Sequence, residues 1–68
     1  MNEFKLKKPY LTLGQFIKAV NLVSSWGMVK AFLITANITV NKEKVNQRGK
    51  KLYKSDLLTI NGTNYQIT

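Results

Sequence analysis

An α+β fold, with two helices packed on a small, mostly antiparallel sheet, is predicted by three features of the chain. Apolar residues recur with a helical period from Leu13 to Ala36, and from Ile38 onward the period changes to 2. Asn61-Gly62 lies between two alternating runs, the strongest hairpin signal present, because both residues tolerate the positive φ of a type I′ turn. Ahead of the helices, Phe4 and Leu6 alternate with Lys5 and Lys7 as in a half-buried strand. Helices followed by a run of strands make an α+β domain. The 68 residues, taken as one domain over 1–68, allow one small core; a chain this short buries only about 60% of its unfolded surface.

Each element has its own signal. After Pro9 interrupts the first strand, Thr12 and Gln15 have capping-box spacing, with Leu11 and Phe16 placed as a hydrophobic staple. Leu13, Phe16, Ile17 and Val20 then follow i, i+3, i+4, i+7, which predicts a helix over 13–22 with Lys18 facing solvent. Ser24 or Ser25 can cap a second helix over about 26–36, whose stripe is Val29, Phe32, Leu33 and Ala36. Phe16, Ile17, Phe32 and Leu33 are core by this spacing. Ile38 and Val40 flank Thr39 in a strand, a turn at Asn41–Lys42 returns the chain through Val45, and Leu58 and Ile60 alternate with Thr59. Tyr65 and Ile67 form the strand after Asn61-Gly62. Residues 46–54 are the longest irregular connection, and such connections are often functional.

Composition removes most chemistries. The chain has no cysteine and no histidine, so disulfides, thiolate metal sites and the usual general base are absent. Its only acids, Glu3, Glu43 and Asp56, are far apart in sequence, which leaves little for a paired-carboxylate mechanism. Neither enzymatic activity nor a small-molecule substrate, a metal or a cofactor is expected. No apolar run approaches the roughly 20 residues of a membrane span. Lys5, Lys7 and Lys8 imitate the start of a signal peptide, but Gly14, Gln15, Lys18 and Asn21 break the segment after them. A cytoplasmic protein is expected, and with no coiled-coil seam, a monomer.

Charge is the positive signal. Eleven basic residues against three acids give a formal +8, and six of the eleven (Lys42, Lys44, Arg48, Lys50, Lys51, Lys54) fall within 42–54. Val45, Leu52 and Tyr53 are spaced through that stretch, so it reads as a basic loop held on a scaffold rather than a tail. A fixed array of cations suits a polyphosphate backbone, whose released counterions supply much of the affinity. Arg48 can fork onto a phosphate or a guanine edge, while Lys50 and Lys51 act as mobile point charges. Gly49 between them permits close backbone approach or a positive φ. The plain alternative is a solvated basic surface.

Four strings in register carry a resemblance: Thr12-Leu13-Gly14-Gln15-Phe16-Ile17-Lys18, Val29-Lys30-Ala31-Phe32-Leu33, Val40-Asn41, and Arg48-Gly49-Lys50-Lys51-Leu52 followed by Asp56. Over about residues 10 to 60 the chain resembles the ribosomal protein S4-like RNA-binding domain, or alpha-L RNA-binding motif, and more narrowly its small stand-alone bacterial YaaA type. The resemblance implies a non-catalytic module that binds structured RNA, ribosomal or transfer RNA, with ribosomal RNA or the ribosome foremost. By position it implies RNA contacts from Thr12 and Gln15, from Ser25, Trp26 and Lys30, and from Asn37, Asn41 and Lys42. The loop from Gln47 through Arg48, Lys50 and Lys51 extends that surface. Several positions depart from the family pattern. Trp26-Gly27 stands for a glycine pair, Val29 for a small residue, Lys42 and Ser55 for turn glycines, and Gln47 for an arginine.

Some residues admit two readings. Trp26 and Lys30, one turn apart, pair an aromatic plane with a cation on which an unpaired base can stack; alternatively Trp26 packs over the helix edge with the Lys30 stem across it. Thr12 and Gln15 cap a helix whose first N–H groups can also meet a phosphate. Tyr10, Tyr53 and Tyr65 suit either stacking or half-buried packing. At the level of the whole chain, a basic face also fits an acidic protein partner. Anionic membrane fits less well, because neither helix has a long basic amphipathic face.

Overall fold

The computed structural model describes residues 2–68. Its seven strands are β1 (Asn2–Phe4), β2 (Leu11–Thr12), β3 (Ile38–Val40), β4 (Glu43–Lys44), β5 (Lys51–Leu52), β6 (Leu57–Ile60) and β7 (Thr63–Ile67). Its helices are α1 (Leu13–Ala19) and α2 (Val29–Thr35), the second entered through a 3-10 turn at Trp26–Met28. Five strands form one sheet in the order β1-β7-β6-β3-β4, antiparallel except where β1 runs parallel to β7. β2 and β5 form a separate antiparallel ladder. The fold is α+β, as expected.

The N-terminus of α1 follows the sequence signal. Gln15 N donates to Thr12 Oγ1 at 3.3 Å and Thr12 N donates to Gln15 Oε1 at 2.9 Å, completing the capping box. The helix ends at Ala19, three residues earlier than its apolar stripe predicts. Asn21 takes φ 61°, and the Asn21 and Leu22 amides donate to the Lys18 and Ile17 carbonyls. That is a Schellman closure with asparagine in place of glycine. The second helical segment opens at Trp26, as expected, but its first turn is 3-10 and the α-helix proper runs only over Val29–Thr35. Ser25 sits at its N-cap with extended backbone, yet its side chain makes no capping bond.

One core fills the space between the helices and the sheet. Leu13, Phe16 and Ile17 enter from α1, Val29 and Leu33 from α2, and Ile38, Val40, Leu58, Ile60 and Ile67 from the sheet. Phe16 is fully buried, with the Phe4 and Tyr65 rings edge-on to it at 5.1 and 5.2 Å between centroids. Phe32, expected in the core, is only partly buried at its margin. The buried seam of α2 runs through Val29 and Leu33, four residues apart, which leaves Phe32 on its flank. β1 stops at Phe4, and Leu6 reaches the core from outside any strand.

The largest departure concerns 46–54. Expected as irregular, this stretch contains β5, which pairs Leu11 with Leu52 and Thr12 with Lys51. Alternation over two residues on each side is too short a pattern to read from sequence.

Both hairpins have two-residue turns with positive φ. Asn61 (49°) and Gly62 (85°) join β6 to β7, and Asn41 (52°) and Lys42 (71°) join β3 to β4. Lys42 thus holds a left-handed conformation that its Cβ opposes. Lys42→Gly is expected to stabilise the domain by about 1 kcal/mol, seen as a higher urea midpoint at constant m-value. An unchanged or lower midpoint would show that the turn carries no such strain. Ser55, at 78°, occupies the other position where a glycine was expected.

Candidate nucleic-acid interface

Among the described residues no charged side chain is buried, and ten of the eleven basic ones are exposed, Lys18 being half-buried. Of the acids, Asp56 is turned to structural use. Its carboxylate accepts from Asn41 Nδ2 at 3.1 Å and from the Tyr53 amide at 2.8 Å. The excess charge is therefore presented outward rather than spent inside the fold.

The basic connection is clamped to the first helix through its own backbone. Leu13 N donates to the Lys50 carbonyl at 2.8 Å and Gly14 N to the Arg48 carbonyl at 3.0 Å. Lys50 N closes the 47–50 turn on the Gln47 carbonyl at 3.1 Å. With Thr12 capping Gln15, the first three N–H groups of α1 all have partners within the chain. The expectation that this helix end offers free N–H groups to a phosphate is therefore corrected: the basic loop itself occupies them. Gly14 also leaves room for the Arg48 stem: a Cβ there would lie 2.7 Å from Arg48 Cγ, so the side chain would have to shift. Gly49, by contrast, has no positive φ, and a Cβ there would meet nothing within 4 Å. The turn does not require glycine at 49.

Clamping brings two of the expected residues together. Lys30, Leu33 and Ile34 of α2 and Asn46 and Arg48 of the connection line one cleft of about 360 Å³. Gln47 and Lys50 line a neighbouring groove of about 220 Å³ with Glu43, Lys44, Val45 and Asn46. The lining of the first cleft sets apolar Leu33 and Ile34 beside cationic Lys30 and Arg48. Ile34, 74% exposed, stands at its edge.

The other expected residues are placed more loosely. Trp26 is 54% exposed, so the packed alternative for its ring does not hold. Trp26 opens the 3-10 turn, with Ser25 as its N-cap, so both precede the α-helix that carries Lys30. Asn37 and Asn41 lie at opposite ends of β3. Both polar atoms of the Asn41 side chain have a partner in the fold, with Oδ1 accepting from the Leu57 amide at 3.0 Å and Nδ2 donating to Asp56. Asn37 is exposed, and its backbone exchanges hydrogen bonds with Asn61. Lys42 is exposed at the tip of the β3–β4 turn. Lys51 Nζ sits over the Tyr10 ring, 4.8 Å from its centroid.

Sequence reasoning missed a second basic group. Lys5, Lys7, Lys8 and Lys54, distant in sequence, line one open cleft with Leu6, Pro9 and Tyr53. The available signal was the close spacing of the N-terminal lysines, but only tertiary contact joins them to Tyr53 and Lys54. Among the described residues no group of His, Cys, Asp or Glu could hold a metal ion, and no helix is long and apolar enough to cross a membrane.

Comparison with known proteins agrees with this architecture. The family model for the S4 domain matches residues 4–68. The chain is 41% identical over 61 residues to the probable ribosome maturation protein RlbA of Bacillus subtilis (strain 168), a match covering 90% of this chain and 86% of that protein. No solved structure matches the chain. A family match along nearly the whole length, carried by a capped helix pair on a mostly antiparallel sheet, places this protein in the S4 domain family.

Proposed function

We propose that this protein is a non-catalytic RNA-binding protein, a single S4 domain over 1–68. It docks as a monomer in the cytoplasm onto structured RNA, ribosomal RNA during ribosome maturation in particular. The observation that carries this reading is the backbone clamp that holds Arg48 beside Lys30 on a protein of net charge +8. Two long cationic side chains, rooted on α2 and on the clamped connection, line one cleft and can reach neighbouring phosphates. Gln47, Lys50 and Lys42 add donors along the same connection and the adjacent hairpin. Such a surface reads the shape of folded RNA and its phosphates, with few base-specific contacts. The resemblance to a ribosome maturation protein supports ribosomal RNA as the ligand class.

Salt-titrated binding separates this reading from an acidic-protein module. A folded RNA with helix–loop junctions is expected to bind more tightly than an unstructured strand of equal length at matched salt. Equal affinity for the two would reduce the surface to a non-selective polycation, and tighter binding to an acidic protein would overturn the RNA reading. In cells, crosslinking followed by sequencing of the bound RNA is expected to recover ribosomal RNA.

A further inference from the structure

The β2–β5 ladder does more than pin the basic connection. Its register pairs Leu11 with Leu52 and Thr12 with Lys51, so the next antiparallel position sets Tyr10 across from Tyr53. Leu11 and Leu52 point into the core. Period-2 alternation then turns Tyr10, Tyr53 and Lys51 outward together. Both rings are open to solvent, Tyr10 at 40% and Tyr53 at 48%, with centroids 6.1 Å apart and planes tilted by 49°. Lys51 Nζ lies over the Tyr10 ring, diagonal to it across the ladder. The backbone beneath is fixed. Asp56 holds the Tyr53 amide, and Ser55 N donates to the Ile67 carbonyl at 2.8 Å. Beside this platform, Lys5, Lys7, Lys8 and Lys54 rim the open cleft of about 670 Å³ that Tyr53 also lines.

From this geometry we infer a second contact site, separate from the Lys30–Arg48 cleft, which holds an unpaired nucleotide next to the folded RNA element. The inference rests on the RNA-binding reading above. Two exposed rings on a rigid ladder offer a stacking face, and the surrounding lysines offer counter-charges to the flanking phosphates. Bases within a duplex are already stacked on one another and cannot use such a platform. A single-stranded extension can. The tilt between the rings favours one base on one tyrosine, with the second ring and Lys51 closing its edge. The protein then carries two sites, one for shape and one for an adjoining unpaired end.

The test uses the whole protein and two RNAs: a hairpin, and the same hairpin with a three-nucleotide single-stranded extension. A stacked base is expected to raise wild-type affinity by roughly five- to a hundred-fold. Tyr10→Leu with Tyr53→Leu keeps apolar bulk and removes the aromatic faces. It is expected to abolish that gain while leaving affinity for the bare hairpin and the melting temperature unchanged. Tyr10→Phe with Tyr53→Phe is expected to keep it. If the leucine variant retains the gain, or if the extension adds nothing to wild-type binding, the stacking site is wrong while the RNA reading stands. If neither RNA binds the wild-type protein above an acidic peptide control, the RNA reading fails and the inference fails with it. Equal competition for the extension by inorganic polyphosphate would reduce the site to an anion cleft and overturn it.

Discussion

Phe16→Ala is expected to unfold the protein. The ring is fully buried, it receives the edges of Phe4 and Tyr65, and it lies where α1 crosses the sheet. Truncating a buried phenylalanine costs about 3–5 kcal/mol in lost burial and an unfilled cavity. A domain of 68 residues holds a total of about 3–10 kcal/mol. The deletion therefore removes much or all of the folded-state margin, and thermal melting followed by circular dichroism should show a much-reduced or absent transition. Phe32→Ala, at the margin of the core, is expected to cost less. Were Phe32→Ala the more damaging of the two, the core would have to be centred on α2 rather than on α1 and the sheet.

The second large effect lies in the ionic strength dependence of binding. If four to six cations meet phosphates, log K against log salt should fall with a slope of about −3 to −5. Over a four-fold rise in salt that slope weakens binding by roughly a hundred- to a thousand-fold. Lys30→Ala combined with Arg48→Ala is expected to flatten the slope by about one to two units. Lys30 is exposed and off the buried seam of α2, so its removal should leave the melting temperature nearly unchanged. Arg48 contributes its stem above Gly14 as well as its charge, and a small loss of stability accompanies its removal. An unchanged slope in the double variant would mean that the cleft does not touch the RNA, and the loop residues Gln47 and Lys50 would have to carry binding without it.

The two effects divide along the line between what local chemistry encodes and what packing assembles. The capping box at Thr12 and Gln15, the 3.6 period of Leu13, Phe16 and Ile17, and the Asn61-Gly62 hairpin were legible because each depends on residues within one turn of one another. The same holds for the density of charge in 42–54, for the want of cysteine and histidine, and for the resemblance carried by four strings in register. The early end of α1 was less legible, because Asn21 can continue a helix or leave it. The Leu22 amide decides by reaching the Ile17 carbonyl.

The amino-acid order alone thus determined the fold class, the start of the first helix, the Asn61-Gly62 hairpin and an outward cationic surface, since these follow from periodicity, caps, turn chemistry and composition. Tertiary structure decided how that surface is arranged. Pairing of Leu11 with Leu52 turned an expected loop into a ladder, seated the Arg48 and Lys50 carbonyls on the first turn of α1, and closed the site where a phosphate had been expected. The same pairing carried Arg48 to Lys30, Tyr53 to Tyr10, and Lys54 to the N-terminal lysines. Contacts between residues about 20 to 50 positions apart leave no local period in the chain. They exist only once burial of the common core has brought those segments together.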